Sequence, residues 1–312
     1  MKSATTGKEK TVLYKDRLMP TTTALQARLQ MFESTRSPTW RTREITTPWG
    51  QAKVTGRLGT MHAALLEAIM FFAIKQRDLE GGGVQVLVDP YAIRTALGER
   101  RARERAGDNA TKQKRRRGTA WGGYSSTGIR HLAEDLRMAA ISLTTSSGEW
   151  MLDGLLYRIE ASKAIAGTSV CGERRLWKIT LSPTTARLFR KDLALHYDPR
   201  PIAALRSGVA ASAARWVLTH RTSPPGGWHI DTVLAAVGAE TEGAAARNRR
   251  RELRKEADAL AACGVIVGGD RVKKTESVFS TPTGVLSTPT KLESVFSTPT
   301  GVLSTPTKPG CV

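Results

Sequence analysis

The stretch AAARNRRRELRKEADALAACG, from Ala244 to Gly264, carries the densest group of side chains that could do chemistry. An arginine guanidinium can donate two parallel hydrogen bonds to guanine O6 and N7, and an asparagine amide can bind adenine N6 and N7 in the same way. At about 100° per residue, small and apolar side chains fall into one stripe, formed by Ala246, Leu253, Ala257, Leu260 and Ala261. The pattern predicts one long helix, Ala244 to Ala262, that packs through this stripe and presents base-reading groups on its other face.

Basic residues crowd the first half of this predicted helix, where a recognition helix meets base edges. Positive charge there opposes the helix dipole, so a stability argument does not explain it, whereas binding of DNA does. Arg249 and Arg250 border the apolar stripe and are expected to reach outward to phosphates. An ordinary solvated basic face is the alternative. The residues expected to contact DNA are Arg247, Asn248, Arg249, Arg250, Arg251, Arg254 and Lys255.

A second amphipathic helix is predicted to begin at Ser125 or Ser126. Its apolar face consists of Ile129, Leu132, Ala133, Leu136 and Ala140. The outward face is predicted to carry Arg130 and Arg137 together with two acidic residues, Glu134 and Asp135, and acidic groups repel phosphate. We therefore expect contacts to the DNA backbone or minor groove only near the start of this helix, from Ser126, Thr127 and Arg130.

A basic insertion precedes that helix. Nine basic residues stand against three acidic ones between Glu99 and Arg117. We expect this loop to follow DNA phosphates, with Arg115, Arg116 and Arg117 as its main contacts. A nuclear-localisation interpretation of the run KQKRRR exists, but it explains no other feature of the chain.

Composition points to a polyanionic partner. The chain has 312 residues, a net charge of +20 and a sequence pI of about 10.4. Such an imbalance opposes compactness and fits DNA, RNA or an anionic membrane. No apolar run approaches the roughly 20 residues that span a bilayer, and the first residues lack the apolar stretch of a signal peptide. Three widely separated cysteines argue against disulfides and a zinc site and fit a reducing cytoplasm.

Signatures of catalysis are missing from the sequence. It contains no GxxxxGK[ST] motif, which leaves ATP hydrolysis by a P-loop unsupported. The five histidines are scattered, so no His-x-His pair could hold a metal for a nicking tyrosine. No close set of carboxylates suggests a two-metal nuclease. We expect a protein that is not an enzyme and that uses no cofactor or metal.

The order of predicted elements indicates an α+β fold with two tandem winged-helix domains. A hairpin around PWG, a central helix from Thr60 to Gln76, a strand VQVLV and a short helix from Pro90 to Leu97 open the first one. The predicted divisions are a basic disordered segment at 1–42, a first winged helix at 43–198 with the basic insertion at 99–117, a second winged helix at 199–274, and a disordered Pro/Thr-rich tail at 275–312.

Two stretches resemble plasmid replication initiators of the broad-host-range, iteron-binding type. GWHIDTVLAAVGAETEGAAARNRRRELRKEADALAACGVIV, from Gly227 to Val267, resembles their C-terminal winged helix, and the stretch from RTREITTPWG to KITLSP resembles their first one. The basic insertion and the repeated tail depart from that pattern.

The resemblance has concrete implications. Such proteins bind direct repeats (iterons) in double-stranded origin DNA, open an adjacent AT-rich region, and recruit the host initiator and helicase. They often repress their own gene as homodimers and initiate as monomers. The first winged helix carries dimerisation and backbone contacts, and the second reads the iteron. A winged-helix repressor or partition protein without initiation activity is the main competitor, and a nicking replication enzyme is a further alternative.

The C-terminal repeat raises a question at the level of DNA. The block ESVFSTPTGVLSTPTK occurs twice with a period of 17 residues, and each block contains two related units with a period of 7. Seven and seventeen codons correspond to about 21 and about 51 base pairs, close to two and five turns of B-DNA. The end of the gene could itself contain iterons, or the tail could be a low-complexity duplication. Freely varying synonymous positions among the VxSTPT units would exclude the first interpretation.

Overall fold

The computed structural model describes residues 20–24, 27, 30–47, 50–107, 126–145, 148, 150–169, 172–191 and 194–275. These residues form an α+β fold with antiparallel sheets and two hydrophobic cores, which confirms the predicted fold class. None of the helices in these ranges is long and apolar enough to cross a membrane. The predicted tail beyond Thr275 and the first 19 residues lie outside the described residues.

The first lobe, residues 41–191, holds the larger core. The elements up to its end are, in chain order, β1 (Thr22–Thr23), β2 (Arg41–Thr47), β3 (Gly50–Gly56), α1 (Thr60–Phe71), β4 (Ala73–Asp78), β5 (Val84–Val88), α2 (Pro90–Gly107), α3 (Ser126–Met138), β6 (Ala140–Thr145), β7 (Trp150–Gly154), β8 (Leu156–Ser169), β9 (Gly172–Leu181) and α4 (Pro183–Lys191). Helix α1 is buried along nearly its whole length because its sequence, TMHAALLEAIMF, is apolar on all sides.

Three strands of the first lobe have winged-helix order. Strand β5 follows α1, then α2 and α3 follow in turn, and the β8–β9 hairpin returns so that β9 lies between β5 and β8. The pairing of β5 with β9 ends at Val88 and Trp177. The hairpin beyond that pair, residues 162–169 and 172–176, is paired only within itself and is named the first wing. Strands β2, β3, β6 and β7 form a separate sheet.

The second lobe, residues 194–275, repeats this arrangement in a smaller form. Its elements are β10 (Ala194–Leu195), α5 (Arg200–Ala203), α6 (Gly208–Leu218), β11 (Trp228–His229), α7 (Ile230–Ala236), α8 (Gly243–Lys255), α9 (Ala257–Ala261), β12 (Val265–Gly268) and β13 (Arg271–Lys274). Strand β13 lies between β11 and β12, as β9 lies between β5 and β8. Both lobes therefore have the predicted winged-helix topology, with α3 and α8 as their third helices.

Three helix boundaries differ from the sequence prediction. The central helix was expected to reach Gln76 but ends at Phe71, because the following residues pair with β5 as a strand. The helix predicted to stop at Leu97 continues to Gly107 through the helix-favouring run ERRARERA. The single helix predicted to reach Ala262 divides at Glu256, whose buried carboxylate accepts a hydrogen bond from the backbone N–H of Arg206.

Part of the segment predicted to be disordered is ordered and joins the two lobes. Residues 30–38 are named the strap. Met31 and Phe32 are buried in the core of the first lobe. On the other side, the Gln30 side-chain amide donates to the backbone carbonyl of Ala236 (3.0 Å), and the Ser34 hydroxyl donates to that of Val237. These bonds satisfy carbonyl groups at the C-terminal end of α7.

A buried ion pair also connects the lobes. Glu67 of α1 accepts two hydrogen bonds from the Arg215 guanidinium of α6, at 2.7 and 2.9 Å, and a third from the Tyr197 hydroxyl at 2.7 Å. Burial, reinforced by the Glu67 carboxylate, raises the pKa of Tyr197 well above its ordinary value. The three side chains fix α1 against α6. The predicted domain boundaries at 42, 198 and 274 stay predictions.

Candidate nucleic-acid interface

Helix α8 presents a basic face that is anchored from behind. Ala246, Leu253 and Leu260 are fully buried in the second lobe, as the predicted stripe requires. Ala257 is only half-buried and Ala261 is exposed, and both lie on α9 after the division at Glu256. Behind the helix, the Glu252 carboxylate accepts a hydrogen bond from the Ser207 hydroxyl at 2.9 Å. The helix contains six basic residues and one acidic residue, Glu252, which bonds to Ser207 and Arg249. Exposed positions on its outer side are Arg247, Asn248, Arg251, Arg254 and Lys255.

Two arginines of α8 are engaged with carboxylates. Arg250 donates to both carboxylate oxygens of Asp231 on α7, at 2.6 and 3.0 Å, and this bonding lowers the pKa of Asp231. Arg249 donates to Glu240 at 3.0 Å and lies 3.3 Å from Glu252. In this arrangement both arginines position α8 against α7 and the preceding turn. Their predicted phosphate contacts stay a prediction.

Arg254 joins α8 to the second wing, which comprises residues 268–271 at the β12–β13 turn. Its guanidinium donates to the Gly269 carbonyl at 3.2 Å and forms an ion pair with Asp270. The strand after this turn exposes Arg271 and Lys273. Sequence reasoning did not select these two, although a basic strand directly after a GGD turn in a winged helix was the signal that could have identified them.

The remaining polar groups of the α8 face are available to a ligand. Arg247 and Lys255 have no carboxylate partner within the part of the chain that the structure describes. Arg251 donates to the Asn248 side-chain oxygen at 3.2 Å, so these two groups lie together on the surface. A guanidinium next to an amide on an exposed helix face provides both of the donor patterns that read purine edges in a major groove.

The first lobe places its third helix, α3, as predicted, with two corrections. Ala140, expected on its apolar face, is the first residue of strand β6. Ile129, Ala133 and Leu136 are buried, and Thr127 and Arg130 are exposed. Ser126 is the first residue of the helix. Asp135 was expected on the outward face, but its carboxylate turns inward to the His62 ring, at 3.1 Å. The outer face therefore carries less negative charge than the sequence suggested.

His62 links the start of α1 to α3. Its Nδ1 accepts a hydrogen bond from the Gly59 backbone N–H at 3.0 Å, so a neutral ring has its proton on Nε2 and donates it to Asp135. Burial lowers the pKa of His62, although the bond to Asp135 opposes that change. A neutral ring satisfies both partners, whereas a second proton on Nδ1 removes the acceptor for Gly59. Arg115, Arg116 and Arg117 lie outside the described residues.

Comparisons with known proteins add little to this geometry. No family model and no curated protein match the chain. Among solved structures the chain is similar to one described as the crystal structure of selenomethionine derivatives of domain 2 and domain 3 of RctB. The two share 10% identity with a TM-score of 0.46, over 75% of this chain and 84% of that chain. A likeness this distant does not transfer a function.

Proposed function

We propose that the protein binds double-stranded DNA through its two winged helices and that α8 reads the base sequence. The observation that carries this proposal is the outer face of α8. Arg247, Asn248, Arg251 and Lys255 are exposed on the third helix of a winged helix, while the neighbouring arginines bind carboxylates that hold the helix in place. Phosphate binding by Thr127 and Arg130 of α3 fits a supporting role for the first lobe.

Within that activity, we propose replication initiation at a plasmid origin. The resemblance of residues 227–267 to iteron-binding winged helices supports this role, and the codon periods of the tail match two and five turns of DNA. The protein would bind iterons, promote melting of the adjacent DNA, recruit the host initiator and helicase, and repress its own gene as a homodimer in equilibrium with monomer. It would act in the bacterial cytoplasm without catalysing a reaction.

A transcriptional repressor or partition protein is the second candidate. The same α8 face would serve it equally well, so the two functions differ only in the events after the DNA is bound. An initiator opens the DNA next to its binding site. A plasmid that replicates from that origin is lost when the gene for the initiator is deleted. A repressor changes transcription while the plasmid persists.

The first test is a footprint on the DNA that encodes residues 275–308 and its downstream flank. The purified full-length chain is added at several salt concentrations with random duplex DNA as competitor. Protection repeated at about 21 base pairs would support binding to iterons within the gene. Permanganate reactivity of unpaired thymines beside the protected region would then separate initiation from repression. Protection that depends on salt concentration but not on base sequence would refute the recognition of iterons in this DNA.

A further inference from the structure

Two arginines of the first lobe lie over the ring of one exposed tyrosine, at cation–π distance. Tyr91 is the second residue of α2, and its side chain is 47% exposed. The guanidinium carbons of Arg94 and Arg174 both lie 4.9 Å from the centre of its ring. Arg94 comes from the next turn of the same helix, whereas Arg174 comes from the return strand of the first wing. These three residues are named the Tyr91 cluster.

The two guanidinium groups of the cluster carry more positive charge than the nearby carboxylate of Asp89 neutralises. The two guanidinium carbons are at most about 10 Å apart, which is about one Debye length at 0.1 M salt, so the two charges repel each other. The Asp89 carboxylate lies 3.7 Å from Arg174, and its other oxygen accepts a hydrogen bond from the Tyr91 backbone N–H. Nε of Arg174 is buried without a hydrogen-bond partner among the described residues. An anion placed here would relieve the repulsion.

Arg174 forms a long ion pair with Asp89, at 3.7 Å, but two other arginines of this lobe bind their carboxylates more closely. Arg190 and Arg158 form ion pairs with Asp78 and Glu160. A guanidinium that binds a carboxylate uses its N–H edge, whereas a guanidinium above an aromatic ring uses its face and keeps its N–H donors in the plane. The Tyr91 cluster therefore holds two guanidinium groups in place and leaves donors that match phosphate oxygens.

The position of the cluster in the fold indicates which anion it meets. Tyr91 lies where the first strand of the winged helix passes into the second helix, and Arg174 lies in the first wing beyond the end of β5. The corresponding junction in the second lobe carries Asp231, also the second residue of its helix, which touches α8 through Arg250. In the second lobe this junction is thus adjacent to the DNA-reading helix.

We propose that the Tyr91 cluster binds the phosphodiester backbone of duplex DNA and anchors the first lobe to it. This inference rests on the proposed DNA-binding function and adds a contact that the basic sequence runs do not indicate. The cluster contains no group suited to reading bases, so it contributes affinity that is independent of sequence. The first lobe then holds DNA at two places, through the start of α3 and through the base of its wing.

The test compares the double variant Arg94→Gln/Arg174→Gln with the control Arg158→Gln/Arg190→Gln, which removes the same charge from arginines bound to carboxylates. Fluorescence anisotropy gives the Kd for a random-sequence duplex and for the footprinted duplex as salt is varied. The cluster variant is expected to bind both duplexes more weakly, by the same factor. It should also reduce the slope of log K against log salt by about 2, since each phosphate contact contributes roughly 1. The control should retain most of the slope.

Tyr91→Phe and Tyr91→Ala give a second measurement in which all charges remain. Phenylalanine keeps the ring and should bind DNA nearly as the wild type does, whereas alanine releases both guanidinium groups and should weaken binding to both duplexes. Circular dichroism verifies that each variant is folded. A cluster variant that binds like the control overturns this inference. If Arg247→Ala/Arg251→Ala still abolishes sequence preference in that case, the proposed function stands, whereas a wild-type chain that binds neither duplex overturns both.

Discussion

Removing the charge of Glu67 should disrupt the junction between the lobes. The Glu67→Gln substitution leaves the Arg215 guanidinium, which is 6% exposed, without its counter-charge. Breaking one partner of a buried, hydrogen-bonded ion pair costs about 3–5 kcal/mol of unfolding free energy. Tyr197→Phe is milder, because Glu67 keeps both bonds from Arg215, and it should cost about 1.5 kcal/mol. The loss of unfolding free energy is therefore expected to be much larger for Glu67→Gln than for Tyr197→Phe.

A double variant separates the charge effect from packing. Glu67→Leu/Arg215→Met replaces both charges by apolar side chains of similar size, and such exchanges are often close to neutral. We expect it to be more stable than Glu67→Gln, with a large coupling energy between the two positions. Urea unfolding followed by far-UV circular dichroism and by tryptophan fluorescence gives the free energies. A loss below about 1 kcal/mol for Glu67→Gln, or a double variant as costly as its single substitutions combined, would refute the reasoning.

Three further predictions concern pH, the strap and the paired arginines. The folded-state pKa of His62 lies below its ordinary value of 6.5. The contribution of His62 to stability is therefore complete above pH 6.5 and should fall as the pH decreases below 6.5. The His62→Gln substitution should flatten this part of a stability–pH profile. Gly238→Ala should destabilise the fold more than Gly269→Ala in urea titrations. Both have positive φ, but only at Gly238 does the added carbon lie 2.5 Å from Gln30 Oε1, so the Gln30 amide must give up its bonds to the Ala235 and Ala236 carbonyls. Arg250→Ala should reduce DNA affinity less than Arg247→Ala in anisotropy titrations, because Arg250 already binds Asp231; equal losses would show that Arg250 leaves its carboxylate to bind DNA.

Local sequence signals predicted the elements whose causes are local. The hairpin of β2 and β3, the strand VQVLV and the helix start at Asp89 and Pro90 all form as expected, with the Asp89 carboxylate accepting from the Tyr91 N–H. The apolar stripe of α8 predicted its buried side and, by exclusion, its exposed arginines. Periodicity could indicate these features because each depends on residues only a few positions apart.

Features that depend on distant residues were not predicted. The strap lacks periodicity, and its bond from Gln30 to Ala236 spans 206 positions of the chain. Periodicity placed Asp135 on the outer face of α3, because it cannot show that His62 on another helix provides a buried partner. The Tyr91 cluster combines α2 with the first wing, and no run of basic residues marks it in the sequence. Such contacts become visible only when the topology brings separate elements together.

The most direct test of sequence reading by α8 is selection of duplexes from a random library at near-physiological salt. The wild-type chain is predicted to enrich one motif, and Arg247→Ala/Arg251→Ala is predicted to lose that motif while retaining weak binding, with about 1–3 kcal/mol lost for each arginine that contacts a base. Lys53→Ala/Arg190→Ala removes the same charge from the first lobe and should select the wild-type motif. Failure of the wild type to enrich any motif, or an unchanged motif after substitution in α8, would contradict the assignment of α8 as the reading helix.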